Sequence, residues 1–214
     1  VGVVFTPSEV YWLERLVRQL TDAKIKEVIV VQDGPMPNTT AGRCWHTVTQ
    51  ALPAPVELVV LPSPSGLAAC WNKILSMYKA PSLLLSPPDI SLSQSAVAEV
   101  VRTVGENQGH LVVWDVGFIF VAKINIDKLG LFDENLFPAL GVAEEYLIRA
   151  EVTGTKVVKA ETKQIGRGPR DQGRTLSLSY RARHAHPPET RAMYPVGANT
   201  RYIYLKWNFP GTCR

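Results

Sequence analysis

Val28-Ile29-Val30-Val31-Gln32-Asp33-Gly34-Pro35 is a run of β-branched apolar residues halted by an acid, a glycine and a proline. A short continuous apolar run that ends in a turn signal reads as a strand buried on both faces. Residues Val1 to Thr6 (VGVVFT) have the same character and stop at Pro7-Ser8. Between the two, Val10, Leu13, Leu16, Val17 and Leu20 recur at helical spacing, with Ser8 expected as the N-cap. Downstream, Val56 to Leu61 reads as a strand, Leu67 to Tyr78 as a helix and Leu83 to Leu85 as a strand cut off by Pro87-Pro88-Asp89. Ser93 to Val104 reads as a helix capped by Ser91 or Ser93. Strands mostly separated by helices predict a parallel, doubly wound sheet with helices on both faces. Ligands of such sheets bind beyond the carboxyl ends of the strands. That rule brings Thr6-Pro7, Gln32-Asp33 and Pro88-Asp89 to one cleft.

The second half reads differently. Leu111 to Trp114 and Phe118 to Ala122 are two strands broken by Asp115 and Gly117, and Leu129 to Glu134 is turn-rich. Glu144 to Val152 reads as a helix, Lys156 to Lys159 as a short strand, and Tyr202 to Trp207 as a final strand or helix. With no internal repeat and no linker, the chain is expected to be a single domain of 214 residues. It lacks a starting Met, as a trimmed fragment of a longer protein would.

Composition narrows the class. At 46% hydrophobic and 20% charged, the chain is an ordinary globular one rather than disordered, collagen-like or coiled-coil. No apolar run approaches the ~18 residues of a membrane helix, and Val1 to Thr6 lacks the basic start and cleavage site of a signal peptide. Cys44, Cys70 and Cys213 are odd in number and show no CxxC pairing, which fits a reducing compartment. Net charge is +4, yet residues 163–214 hold ten Lys/Arg against two Asp/Glu. That basic quarter suggests an anionic partner. There is no GxGxxG, Walker loop, HExxH or GxSxG string.

The order of the remaining motifs resembles family 2 glycosyltransferases of the GT-A fold, over most of residues 1–160. VIVVQDGP at 28–35 is similar to the family's strand ending in Asp-Asp-Gly-Ser, with Gln32 in place of the first Asp. GLAACWNKIL at 66–75 is similar to its Gly-x-x-x-Ala-x-Asn segment, and LLLSPPDISLS at 83–93 to the strand leading into Asp-x-Asp. GFIFVAKINIDKLGLFDENLF at 117–137 is the strongest match, followed by AEEYLIRAEVTGTKV at 143–157 and YIYLKWN at 202–208.

The resemblance implies an α/β, GT-A-like (Rossmann-like doubly wound) mixed sheet flanked by helices. Residues 1–110 would bind a nucleotide sugar, with UDP- or dTDP-sugars favoured. Residues 111–214 would bind a glycan, lipid-linked or protein hydroxyl acceptor. Thr6, Pro7, Asp33, Gly66, Asn72, Pro88 and Arg167 would hold the donor, with Arg167, Arg170 and Arg174 closing over its diphosphate. Asp89, joined by His186, would bind a divalent cation, Mn2+ or Mg2+, although Ser86, Pro87 and Pro88 stand where the family's first acid is found. Trp114 and Asp115 would meet the acceptor. An inverting transfer needs a carboxylate to take the acceptor's proton, and Glu144 and Glu145 are the candidates. Glu145 is ahead because, counted back from Arg149, it falls on a family acid, whereas Ala143 falls where another is expected. A cytoplasmic location, free or at a membrane surface, follows, with no nucleic acid expected. The alternatives are a non-catalytic module of the same fold, a nucleotidyltransferase, and a nucleic-acid binder argued from the basic tail alone.

Overall fold

The computed structural model describes residues 1–5, 9–23, 25, 27–35, 56–115, 118–136, 141–160, 165–167, 199, 202–203 and 205–207. For residues 10, 11, 115 and 165–167 only the backbone is described. Strands β1 (Gly2–Phe5), β2 (Val28–Gln32), β3 (Val56–Val60) and β4 (Ser82–Ser86) are linked by helices α1 (Val10–Asp22) and, between β3 and β4, α2 (Gly66–Met77). Next come β5 (Ile90–Leu92), α3 (Gln94–Glu106), β6 (Leu111–Asp115), β7 (Phe118–Ala122), α4 (Lys123–Leu129), α5 (Val142–Val152), β8 (Val157–Lys159) and β9 (Ile165–Arg167).

Seven strands form one sheet in the order β3-β2-β1-β4-β7-β6-β8. β1, β2, β3 and β4 are parallel, as the sequence predicts. β7 runs antiparallel to β4, and β6 returns antiparallel to β7 and parallel to β8. One edge of the sheet therefore gathers the carboxyl ends of every strand but β7, which contributes its amino end. The central strands are apolar on both faces because both faces are covered. Leu13, Leu16, Val17 and Leu20 of α1 pack with Val3, Phe5, Val28 and Val30 on one side. Trp71, Ile74 and Leu75 of α2 and Tyr146 of α5 pack with Val4, Ile29, Val31 and Leu85 on the other. Gly2 permits this closeness: a Cβ there would lie 2.6 Å from Ile74 Cγ2.

The structure corrects several boundaries. Glu9, without a side-chain cap, takes the N-cap position of α1 expected for Ser8. Ser93 does cap α3, accepting from the Ala96 amide at 3.1 Å. Helix α4 follows β7 directly with no capping side chain, so no start signal announces it. β5 and β9 pair with each other in a separate small sheet. Residues 202–203 and 205–206 are helical, which settles the choice between strand and helix. Among the described residues, no helix is long and apolar enough to cross a membrane.

Candidate active site

Asp33 follows β2 at the carboxyl edge and is buried. Its Oδ1 accepts the Ser65 amide at 2.6 Å, and its Oδ2 accepts the Gly66 amide at 3.2 Å. The carboxylate therefore caps α2, where the free amides and the helix dipole favour a negative charge. It also lies against Cys70, and burial first, then Asp33, pushes the Cys70 thiol up. Beside Asp33, Gln32 is buried, and its Nε2 donates to the Gly34 carbonyl at 2.7 Å. The Gln32 Oε1 has no partner among the described residues.

Asn72 lies in the second turn of α2 and is buried. Its Oδ1 accepts the Phe132 amide at 2.8 Å, while its Nδ2 donates to the Phe132 carbonyl at 3.0 Å and to Glu134 Oε1 at 2.8 Å. Both ends of the amide are thus spent on the loop after α4. This makes Asn72 a tie between α2 and that loop.

Pro88 and Asp89 form the buried turn between β4 and β5. The β5–β9 register sets Arg167 opposite Ile90, the residue after Asp89. Arg167 thereby lies across the strand pair from the residue that follows Asp89. Gln19 of α1 fixes this small sheet by accepting the Leu92 amide at 3.0 Å. Thr6, Pro7 and His186 lie outside the described residues.

Trp114 and Asp115 end β6 at the same edge, with a register shift between Val113 and Asp115. The Trp114 ring lies 5.2 Å from that of Phe118 and is partly buried against the core.

Glu144 and Glu145 occupy the first turn of α5. β8 follows α5 and starts at the opposite edge of the sheet, so an 11-residue helix, about 16 Å long, returns these acids to the carboxyl edge. Their surroundings differ. Glu145 is fully buried and paired through Oε1 and Oε2 with Arg149 and through Oε1 with Lys206 at 2.9 Å. Glu144 is half-buried, and its Oε2 has no partner among the described residues. Spacing from Arg149 favours Glu145, whose carboxylate is held in ion pairs, whereas Glu144 keeps a buried oxygen without a partner among the described residues.

Sequence alone gives no site role to Lys206, Tyr202 or Arg149. Lys206 Nζ reaches Asp133 Oδ2 at 2.6 Å, and the Tyr202 hydroxyl donates to the same oxygen at 2.7 Å. Arg149 also donates to the carbonyls of Leu129 and Leu131. The i,i+4 spacing of Glu145 and Arg149 is a readable signal; the Lys206 contact with Asp133, across 73 residues of chain, is not.

A cation held by a protein alone needs several oxygen or imidazole ligands. Among the described residues, no three His, Cys, Asp or Glu side chains come together as a metal site. Pro87 and Pro88 offer no side-chain ligand beside Asp89. The described residues thus do not fit a cation site of their own.

The sheet order and helix placement match solved structures. The mannosyltransferase PcManGT of Pyrobaculum calidifontis, in complex with GDP-Man and Mn2+, superposes with a TM-score of 0.64 at 14% identity. The match covers 100% of this chain and 65% of the mannosyltransferase. The fold is GT-A-like. S. aureus TarS 1–349 in complex with UDP-GlcNAc matches with a TM-score of 0.61 at 12% identity, over 82% of this chain and 59% of that one. The GT-A-like chain thus spans less than two thirds of the length of these neighbours. At such identities the likeness is one of fold. Neither a protein-family model nor a curated protein matches the chain.

Proposed function

We propose that the chain is a glycosyltransferase that moves a sugar from a nucleoside-diphosphate donor to a hydroxyl acceptor with inversion. The observation that carries this reading is the contrast at the start of α5. At the carboxyl edge that also holds Asp33 and Asp89, one acid is locked into ion pairs and its neighbour keeps a buried oxygen without a partner among the described residues. Residues 1–110 form the donor half and 111–214 the acceptor half. Asp33, with Thr6 and Pro7 after β1, holds the nucleoside, and Gly66 lets the backbone of α2 start beside it. Pro88 and Asp89 turn the chain beside the sugar, and Arg167 serves the diphosphate, since a guanidinium neutralises phosphate oxygens. Glu144 takes the proton of the acceptor hydroxyl as the new glycosidic bond forms and the sugar–phosphate bond breaks. The leaving nucleoside diphosphate carries away the bonding electrons.

Asp89 alone is less than a protein-held cation requires, so the transfer is proposed without a step through a metal. The two solved neighbours support a nucleotide-sugar donor because each was solved with one. Thermal shift against UDP-, GDP- and dTDP-sugars, each with and without Mn2+, tests the reading. A ligand that binds only the folded state raises the melting point. The expected outcome is a shift with one class of donor, reduced in Arg167→Met and Asp33→Asn. No shift with any donor favours the non-catalytic module of the same fold.

A further inference from the structure

The helical segment at 202–207 has a use that donor binding and proton transfer leave unassigned. Ile203 is buried in the main core cluster, and the Trp207 amide donates to the Ile203 carbonyl at 3.1 Å. One turn on, Lys206 sits between two carboxylates of different elements. It lies 2.6 Å from Asp133 of the loop after α4 and 2.9 Å from Glu145 of α5. Glu145 is fully buried and the Asp133 side chain is 7% exposed. Arg149 pairs with Glu145, also donates to the Leu129 and Leu131 carbonyls and lies over the Tyr146 ring. Among the described residues two cations therefore balance these two anions, and Lys206 alone joins the loop to the helix through both of them. Without it, Asp133 keeps Tyr202 and Asn135 but loses its counter-charge. A buried charge stripped of its partner forces its surroundings to rearrange.

We infer that Lys206 is a positioning residue for the sugar transfer: by tying Glu145 to Asp133 it fixes the first turn of α5 and so the direction of Glu144. This rests on Glu144 as the base. Lys206 acts through Glu145 and touches no substrate. A base displaced by about 1 Å loses rate far more than binding.

The full chain is compared as wild type, Lys206→Met, Lys206→Arg and Glu144→Gln. Amide hydrogen exchange over residues 142–146 is measured together with release of nucleoside diphosphate from UDP-, GDP- and dTDP-sugars. Lys206→Met should speed exchange there about tenfold and lower kcat about tenfold, with donor KM within about twofold. Lys206→Arg should restore both to near wild type. Unchanged exchange in Lys206→Met overturns the inference, because α5 is then held without it. Faster exchange with unchanged kcat also overturns it, leaving a tie with no part in the reaction. A lower melting point and raised KM that Arg does not rescue overturn it in favour of a folding role. Full activity in Glu144→Gln, or no turnover of any donor, fails the base reading instead. The exchange comparison still decides whether Lys206 holds the helix.

Discussion

Glu144 and Glu145 are chain neighbours separated by about 100° of helix, and that rotation alone separates their chemistry. Glu145 points into the core and is neutralised by Arg149 and Lys206, while Glu144 is half-buried and its Oε2 has no partner among the described residues. The two isosteric changes should therefore behave in opposite ways. Glu145→Gln leaves Arg149 and Lys206 short of a carboxylate and should cost about 3 kcal/mol or more in urea unfolding. Glu144→Gln breaks no ion pair among the described residues and should change stability by less than about 0.5 kcal/mol. Its effect belongs in kcat, with a loss of at least about 100-fold. Equal effects of the two substitutions on stability would contradict the division of labour.

At the scale of elements, single polar side chains join secondary structures that the sequence leaves separate. Asp33 couples β2 to the start of α2. Asp33→Ala should lower stability by about 1 to 2 kcal/mol in chemical denaturation, as the loss of a helix cap does. Asp133 couples the loop after α4 to residues 202–207. Burial opposes its charge, but hydrogen bonds from Lys206, Tyr202 and Asn135 together outweigh burial and hold its carboxyl down at about 2. A carboxyl held below its ordinary value stabilises the fold above the ordinary carboxylate range and loses that contribution as pH falls toward its folded value. Unfolding followed from about pH 5 down to about pH 2 should thus be less pH-dependent in Asp133→Asn than in wild type. Gly141, with φ +85°, starts α5, and a Cβ there would lie 2.6 Å from Ile203 Cδ1. Gly141→Ala should cost more than about 1 kcal/mol on backbone grounds and loosen residues 202–207, seen as faster hydrogen exchange.

At the scale of the molecule, the first half of the chain was the more legible. β1, β2, β3 and β4 announce themselves as apolar runs halted by Pro, Gly or Asp, and the rule for α/β sheets places their carboxyl ends around one edge. The short elements escaped for physical reasons. β5 and β9 are three residues each and exist only because they pair with each other, and α4 has seven residues and no cap. The candidate site was legible in its acids but not in their partners. Asp33, Asp89, Glu144 and Glu145 stand at strand ends or a helix start, where sequence pattern points. Asn72 and Trp114 carry the right chemistry for ligand contact, yet packing turned them to Phe132 and Phe118. Tertiary contacts decide such cases, and spacing does not encode them.

The central claim is sugar transfer with Glu144 as the base, and the most direct measurement is release of nucleoside diphosphate from UDP-, GDP- and dTDP-sugars by wild type and Glu144→Gln. Turnover of one donor class by wild type, with at least about a 100-fold lower kcat in the folded Glu144→Gln protein, is the result this account predicts. Equal rates in the two proteins, or no release from any donor, would contradict it.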